Sequence, residues 1–258
     1  MRIVAVLTAT QIVAVFPVLA YAQSADSTVT VGSMATYTEG KFGTDQTTKI
    51  WYVPTYFQYQ TGALRLKATI PYISVESQGA VLSGGTVIGT SGSTKPVTRS
   101  GLGDIWLDGK YTIRGSGGMP DLVPYAKVKL GTASAADGLG TGKNDYETGL
   151  GLEGIIGTRI FPFATLGYRW IGKPEGSSLR DIATYDAGSS FTFGEQHVLT
   201  LMFAGRQSAQ PGFPAAADAI AAWNYNLKPG SGLQVYVDKG LSDGSPDYSV
   251  GIGGQVRF

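Results

Sequence analysis

The stretch Asp247-Tyr248-Ser249-Val250-Gly251-Ile252-Gly253-Gly254-Gln255-Val256-Arg257-Phe258, at the carboxy-terminal end, decides the fold. Tyr248, Val250, Ile252, Val256 and Phe258 interleave with Asp247, Ser249, Gly251, Gly253, Gln255 and Arg257. A period of two, with one apolar face and one polar or glycine face, marks a half-solvated β-strand. A terminal strand closing on an aromatic residue is the pattern of an outer-membrane barrel, and Phe258 is expected to act as its assembly signal.

The opposite end agrees. Residues 1–22 read as a signal peptide: Arg2, an apolar run from Ile3 to Leu19, then Ala20-Tyr21-Ala22 as a cleavage site. Thr8, Thr10, Gln11 and Pro17 interrupt the run, and no basic stop-transfer cluster follows, so it does not read as a membrane anchor. The expected organisation is a signal peptide over 1–22 and a β-barrel over 23–258. No other segment is apolar for long enough to span as a helix, so membrane residence must be by barrel.

Composition narrows the class. The 37 glycines and 14 tyrosines, with 15% charged residues, suit short strands, turns and aromatic anchors. Without residues 1–22 the chain carries 19 basic and 19 acidic residues, which argues against nucleic acid as a partner. The absence of cysteine excludes disulfides and a cysteine-linked lipid anchor.

About twelve segments have strand character: 28–38, 48–60, 63–76, 102–114, 121–132, 144–156, 159–171, 182–193, 196–207, 218–228, 232–241 and 247–258. Each is roughly ten residues, the length a tilted strand needs to cross the hydrocarbon. In the third, Leu64, Leu66, Ala68, Ile70 and Tyr72 alternate with Arg65, Lys67 and Thr69. Periodicity alone does not distinguish a sandwich core from a lipid-facing wall. The connections do better, because long ones alternate with tight turns such as Thr61-Gly62, Gly157-Thr158 and Gly194-Glu195. The fold class expected is all-β, a transmembrane antiparallel up-and-down barrel with turns and both termini in the periplasm of a Gram-negative cell. Tyr72, Tyr111, Tyr146, Tyr168, Trp170, Tyr185, Phe193, Trp223, Tyr225, Tyr248 and Phe258 fall on the lipid-facing side, mostly near strand ends, as interfacial girdles do.

Several motifs carry a family resemblance. Ser100-Gly101-Leu102-Gly103-Asp104-Ile105, preceded by Ile70-Pro71-Tyr72 and followed by Lys129-Leu130-Gly131-Thr132, resembles the outer-membrane transporter-like family named for the meta-pathway of phenol degradation. Gly142-Lys143-Asn144-Asp145-Tyr146 and Gly240-Leu241-Ser242-Asp243-Gly244-Ser245-Pro246-Asp247 are similar to it too, in order along the mature chain. Where that family commonly places a proline before the threonine, this chain has Gly131. The resemblance implies an outer-membrane channel for aromatic or other small hydrophobic compounds.

The inward face should hold Arg65, Lys67, Asp104, Asp108, Lys110, Arg114, Lys127, Lys129, Asp145, Glu147, Glu153, Arg169, Asp186, Arg206, Asp238, Asp247 and Arg257, with the signs mixed between neighbouring strands. A charge at a mid-membrane lipid-facing position would cost about 2–4 kcal/mol for Arg or Lys, so stability alone demands this placement. The set is a structural ion-pair network or a constriction that orders a solute. If the lumen conducts, neutralising Arg65 and Lys67 should shift its preference between anions and cations. Twelve strands lie between a filled barrel of about eight and an open channel of about 16–18, so the expected lumen is narrow. The connection 77–101, with Gly84-Gly85 and Ser91-Gly92-Ser93, reads as a mobile polar loop that can fill part of it, or else Val81, Leu82, Val87 and Ile88 extend two strands.

Other motifs carry little. Gly149-x-Gly151-x-x-Gly154 matches a dinucleotide fingerprint but lies inside an alternating strand with no helix after it. His197, the only histidine, has Leu199 two positions on rather than the serine of an outer-membrane lipase, and reads as structural. No cofactor, metal or enzymatic activity is expected. The expected partners are outer-membrane lipid, the barrel assembly machinery through the last strand, and a small-molecule solute. The function expected is a passive channel or uptake pore; the alternative is a plugged barrel whose long loops contact other molecules.

Overall fold

The computed structural model describes residues 27–258 except 79, 84, 85 and 91–94, so the expected signal peptide lies outside the described residues. Among the described residues the strands are β1 (Thr28–Gly40), β2 (Thr48–Thr61), β3 (Leu64–Ser77), β4 (Ala80–Ser83), β5 (Thr86–Thr90), β6 (Val97–Leu102), β7 (Ile105–Tyr111), β8 (Asp121–Leu130), β9 (Asp145–Glu153), β10 (Ile160–Trp170), β11 (Ile182–Phe193), β12 (His197–Arg206), β13 (Ala216–Lys228), β14 (Ser231–Gly240) and β15 (Tyr248–Arg257). From β7 onward each strand pairs antiparallel with the next, and β1 joins β15 to β2. The ring closes through β2 on β3 and β3 on β6 and β7.

Strands β6 and β7 share one place in that ring. Tyr72 of β3 faces Leu102, while Thr69 faces Trp106, so the β6–β7 side carries one residue more between the two pairs. This is a β-bulge, and it turns Gly103 and Asp104, consecutive in sequence, both to the buried side. The barrel therefore has twelve strands, as expected, but the fourth begins at Val97 rather than 102 and ends at Tyr111. The connection read as a mobile loop is correspondingly shorter, and it contains the separate hairpin β4–β5.

Side-chain alternation explains why the wall stands in a bilayer. Leu107, Leu150, Leu166, Leu201, Val235 and Ile252 point outward, with Leu166 64% and Ile252 63% exposed. An apolar belt running round every strand is inadmissible in water and native in lipid. From Tyr248 to Phe258, at about 3.4 Å per residue and a tilt near 40°, the strand rises about 25 Å, the height of such a belt. Aromatic clusters mark both rims: Tyr37 packs on Trp51 at 5.2 Å and Tyr168 on Trp170 at 5.2 Å at the long-loop end. At the short-turn end His197 stacks on Trp223 at 5.6 Å beside Tyr225, which is half-buried rather than fully exposed. The lone histidine is thus part of a girdle.

The tight turns are glycine turns, with Gly62 at φ 53° and Gly194 at φ 66°, a backbone region that few other residues enter without strain. Both ends of the described chain lie at this rim. Val29 and Phe258 exchange backbone hydrogen bonds of 3.2 and 2.8 Å, which seals the seam between first and last strands.

Candidate functional site

One row of cross-strand partners organises the interior. It runs Arg257, Thr30, Gln58, Lys67, Asp108, Lys127, Glu147, Arg169, each directly opposite the next on the adjoining strand. From Lys67 to Arg169 the charge alternates in sign across five strands. Residues opposite one another in an antiparallel sheet share a face, so Lys127 meets a carboxylate on each side, while Lys67, between Gln58 and Asp108, and Arg169, between Glu147 and Ile182, meet one each.

The Glu147 end of this row is closed by contacts. Arg169 donates to Glu147 Oε2 from Nε at 2.7 Å and from Nη2 at 2.6 Å, Lys127 Nζ lies 3.4 Å from Oε1, and the Tyr125 hydroxyl donates to Oε1 at 2.9 Å. All four side chains are buried. The guanidinium of Arg169 also lies over the Trp106 ring, 5.0 Å from its centroid. Buried ions persist only when they are paired and hydrogen-bonded, and here one carboxylate uses both of its oxygens to hold two cations.

Lys129 holds a second cluster beside the bulge. Its Nζ is 3.3 Å from Asp104 and 3.0 Å from Asp145, with no exposure of the lysine. Asp104 also accepts the Ala133 N–H at 3.0 Å, and Asp145 accepts the Gly172 N–H at 2.9 Å, so one lysine ties two long loops to the wall. The bulge within the Gly101-Leu102-Gly103-Asp104 motif is what aims Asp104 inward.

The remaining residues distribute unevenly. Arg65, Lys67, Asp108, Lys110, Glu153, Arg206 and Arg257 are half-buried, and Asp186 and Asp238 are buried. Asp238 accepts the Ser249 hydroxyl at 3.2 Å, and Arg206 is within electrostatic reach of Asp218 and Asp238. Arg114 lies exposed in the β7–β8 turn, where it pairs with Asp121 at 2.7 Å. Asp247 corrects an expectation: it sits outside β15, exposed, with its N–H on the Glu39 carbonyl, because the strand starts one residue later. Asp121 and Asp218 are buried charges absent from the sequence-based set, although each has the parity of inward neighbours such as Tyr125 and Ala222.

Inward aromatic rings lie along the wall instead of across the lumen. A Cβ at Gly149 would meet the Tyr125 ring at 2.6 Å, one at Gly32 would meet Tyr56 at 2.6 Å, and one at Gly188 would meet Phe163 at 2.7 Å. The glycine pattern that mimics a dinucleotide fingerprint thus begins with a seat for Tyr125.

The long-loop mouth is apolar where the hairpin enters it. Leu82 and Val87 of β4–β5 join Ile50, Tyr52, Ile73 and Val75 of the wall and Ala133 and Leu139 of the next loop in one buried cluster. The Leu82 N–H donates to the Gly138 carbonyl at 3.0 Å, and Arg99 donates to the Asp137 carbonyl at 3.0 Å. Within the segment expected to be mobile and polar, the β4–β5 hairpin is packed against the barrel, because Leu82 and Val87, opposite one another in its register, both face the wall. No group of histidine, cysteine and carboxylate ligands suited to a metal occurs among the described residues.

No protein-family model matches the chain, and no curated protein matches it in sequence. Its fold is similar to that of an outer-membrane channel from Pseudomonas putida F1, with 15% identity over 92% of this chain and 97% of that one and a TM-score of 0.72. It is similar also to the NanC porin, with 10% identity over 87% and 98% and a TM-score of 0.55. The translocator domain of the autotransporter NalP from Neisseria meningitidis matches at 10% identity over 90% and 88%, with a TM-score of 0.55. These likenesses establish the architecture, an outer-membrane type of antiparallel barrel. Two channels and a translocator on one architecture also mean that function has to be argued from the interior.

Proposed function

We propose that the chain is an outer-membrane channel through which small solutes diffuse passively, without catalysing a reaction. The observation that carries this reading is the seating of Tyr56, Tyr125 and Phe163 against the glycines directly opposite them on neighbouring strands, which keeps bulky side chains off the barrel axis. A barrel built to be solid would instead turn such rings inward, as the packed interiors of eight-stranded barrels do. The half-buried charges Arg65, Lys67, Asp108 and Lys110 supply a wet polar wall along the same stretch.

The solute class follows from two features. The apolar cluster of Ile50, Tyr52, Ile73 and Val75 at the long-loop mouth, covered by Leu82 and Val87, offers an apolar surface where the hairpin lifts away, and the half-buried charges of the lumen beyond favour a polar end. The resemblance to the family named for phenol degradation supports the same class. In this reading the barrel lies in the outer membrane of a Gram-negative cell with both termini periplasmic, contacts lipid through its belt, and is inserted by the assembly machinery through β15.

Purified barrel in a planar lipid bilayer tests the proposal. Discrete single-channel steps, with flux of small aromatic solutes into liposomes, are the expected result. A membrane that stays closed to salt and to solutes with correctly folded protein present overturns it.

A further inference from the structure

We propose that Arg65, Lys67 and Lys110 form a subsite for the carboxylate of a small organic anion on the lumen wall. The inference rests on the channel reading and deepens it by naming a charge class for the solute.

The three cations stand apart from the other inward lysines and arginines of this wall. Lys127, Lys129 and Arg169 are buried in ion pairs of 3.4, 3.0 and 2.6 Å. Arg65, Lys67 and Lys110 are half-buried, and among the described residues none of them makes an ion pair. They are neighbours in register: Arg65 lies opposite Lys110, and Lys67, two residues along β3 on the same face, lies opposite Asp108. Nε of Arg65 is buried with no hydrogen-bond partner, and the Lys110 ammonium rests 5.9 Å from the Tyr125 ring centroid.

Nearby acids leave the group undercompensated. Asp108 and Glu153 are within electrostatic reach, but Lys127, Arg114 and Arg257 reach the same group and repel it. Glu147, which might have offset another cation, already holds both Lys127 and Arg169. Strand β13 stands diametrically opposite β7 in the ring of twelve, and toward the short-turn end it and β14 present neutral Asn224 and Gln234. Among the described residues, no acidic wall therefore answers the cations across the lumen at this level.

Chemistry selects a carboxylate. A guanidinium fork binds two oxygens at once, and two ammonium groups beside it add point charges whose attraction is stronger in a narrow, low-dielectric lumen than in water. Because the three side chains keep partial exposure, an anion can reach them without breaking a native pair.

Planar-bilayer recording with the whole barrel, using benzoate and its neutral analogue benzyl alcohol as probes, tests the subsite. Benzoate should block the wild-type current in a concentration-dependent way, while benzyl alcohol should not. Arg65→Gln with Lys110→Gln should raise the half-blocking concentration of benzoate at least about tenfold, the loss expected for charge-assisted contacts. Arg65→Lys with Lys110→Arg, which keeps both charges, should still be blocked. Equal block by the two probes in the wild type, or an unchanged half-blocking concentration in the glutamine pair, overturns the subsite and leaves the channel standing. A barrel that conducts under no condition overturns the channel reading itself.

Discussion

Glu147 receives two hydrogen bonds on one oxygen from Arg169, at 2.7 and 2.6 Å, while its other oxygen serves Tyr125 and Lys127. Four strands, β7 to β10, meet around that carboxylate, since Arg169 also covers the Trp106 ring. Glu147→Gln should strip two buried cations of their counter-charge and destabilise the barrel by about 3–5 kcal/mol. Urea unfolding in detergent reads this directly, and adding Lys127→Met and Arg169→Met should restore most of the loss. An unchanged midpoint in the single variant would sink the account.

A glycine seat makes the second test. A Cβ at Gly167 would stand 2.1 Å from the Tyr125 hydroxyl oxygen and 2.7 Å from Thr184 Oγ1. Gly167→Ala should push Tyr125 off the wall and cost about 1–3 kcal/mol through overpacking. Tyr125→Phe in the same chain removes the nearest clash and should recover part of the cost, whereas simple additivity of the two changes would count against the seat.

The lipid-facing assignment is testable at Leu166 and its neighbour Thr165, which turn to opposite sides of β10. Leu166→Arg should cost about 2–4 kcal/mol if the site lies near the bilayer midplane. Thr165→Arg, entering a wet lumen, should cost clearly less. Equal losses in bilayer refolding experiments would show that the two faces are not distinguished in this way.

Leu82 is fully buried where the hairpin meets the wall. Leu82→Asp should drive the hairpin out of the mouth, because an isolated charge is not tolerated among Ile73, Val75 and Leu139. Single-channel conductance should rise, with no change in barrel assembly. A conductance identical to that of the wild type would place the limiting constriction elsewhere.

Phe258 caps β15, 76% exposed, with its N–H on the Val29 carbonyl at 2.8 Å. Removing it, or Phe258→Asp, should lower the amount of heat-modifiable barrel in the outer membrane while synthesis continues. Normal assembly after either change would exclude the residue as an assembly signal.

Much of this was legible in the chain itself. The alternation of Tyr248, Val250, Ile252 and Val256 against Ser249 and Gly251 is a local property, since pleating sends successive side chains to opposite faces. The strand count and the inward parity of most of the charges follow from the same rule applied segment by segment; Arg114, beyond the last residue of β7, escapes it. Alternation placed Asp247 one position too deep, because parity says nothing of where a strand begins. It also missed how the fourth strand is built, because a bulge changes parity within a segment.

What only the tertiary structure decided is which residues meet. Lys67, Asp108, Lys127, Glu147 and Arg169 come from five separate segments, and only inter-strand register aligns them in one row. The sequence marks each as an inward charge. It does not say that Arg169 and Lys127 share Glu147 while Arg65, Lys67 and Lys110 are left without ion pairs. Nor does it say that Leu82 leaves solvent for the barrel mouth. The face of a residue is set by the pleat of its own strand, but its partner is set by closure of the whole ring.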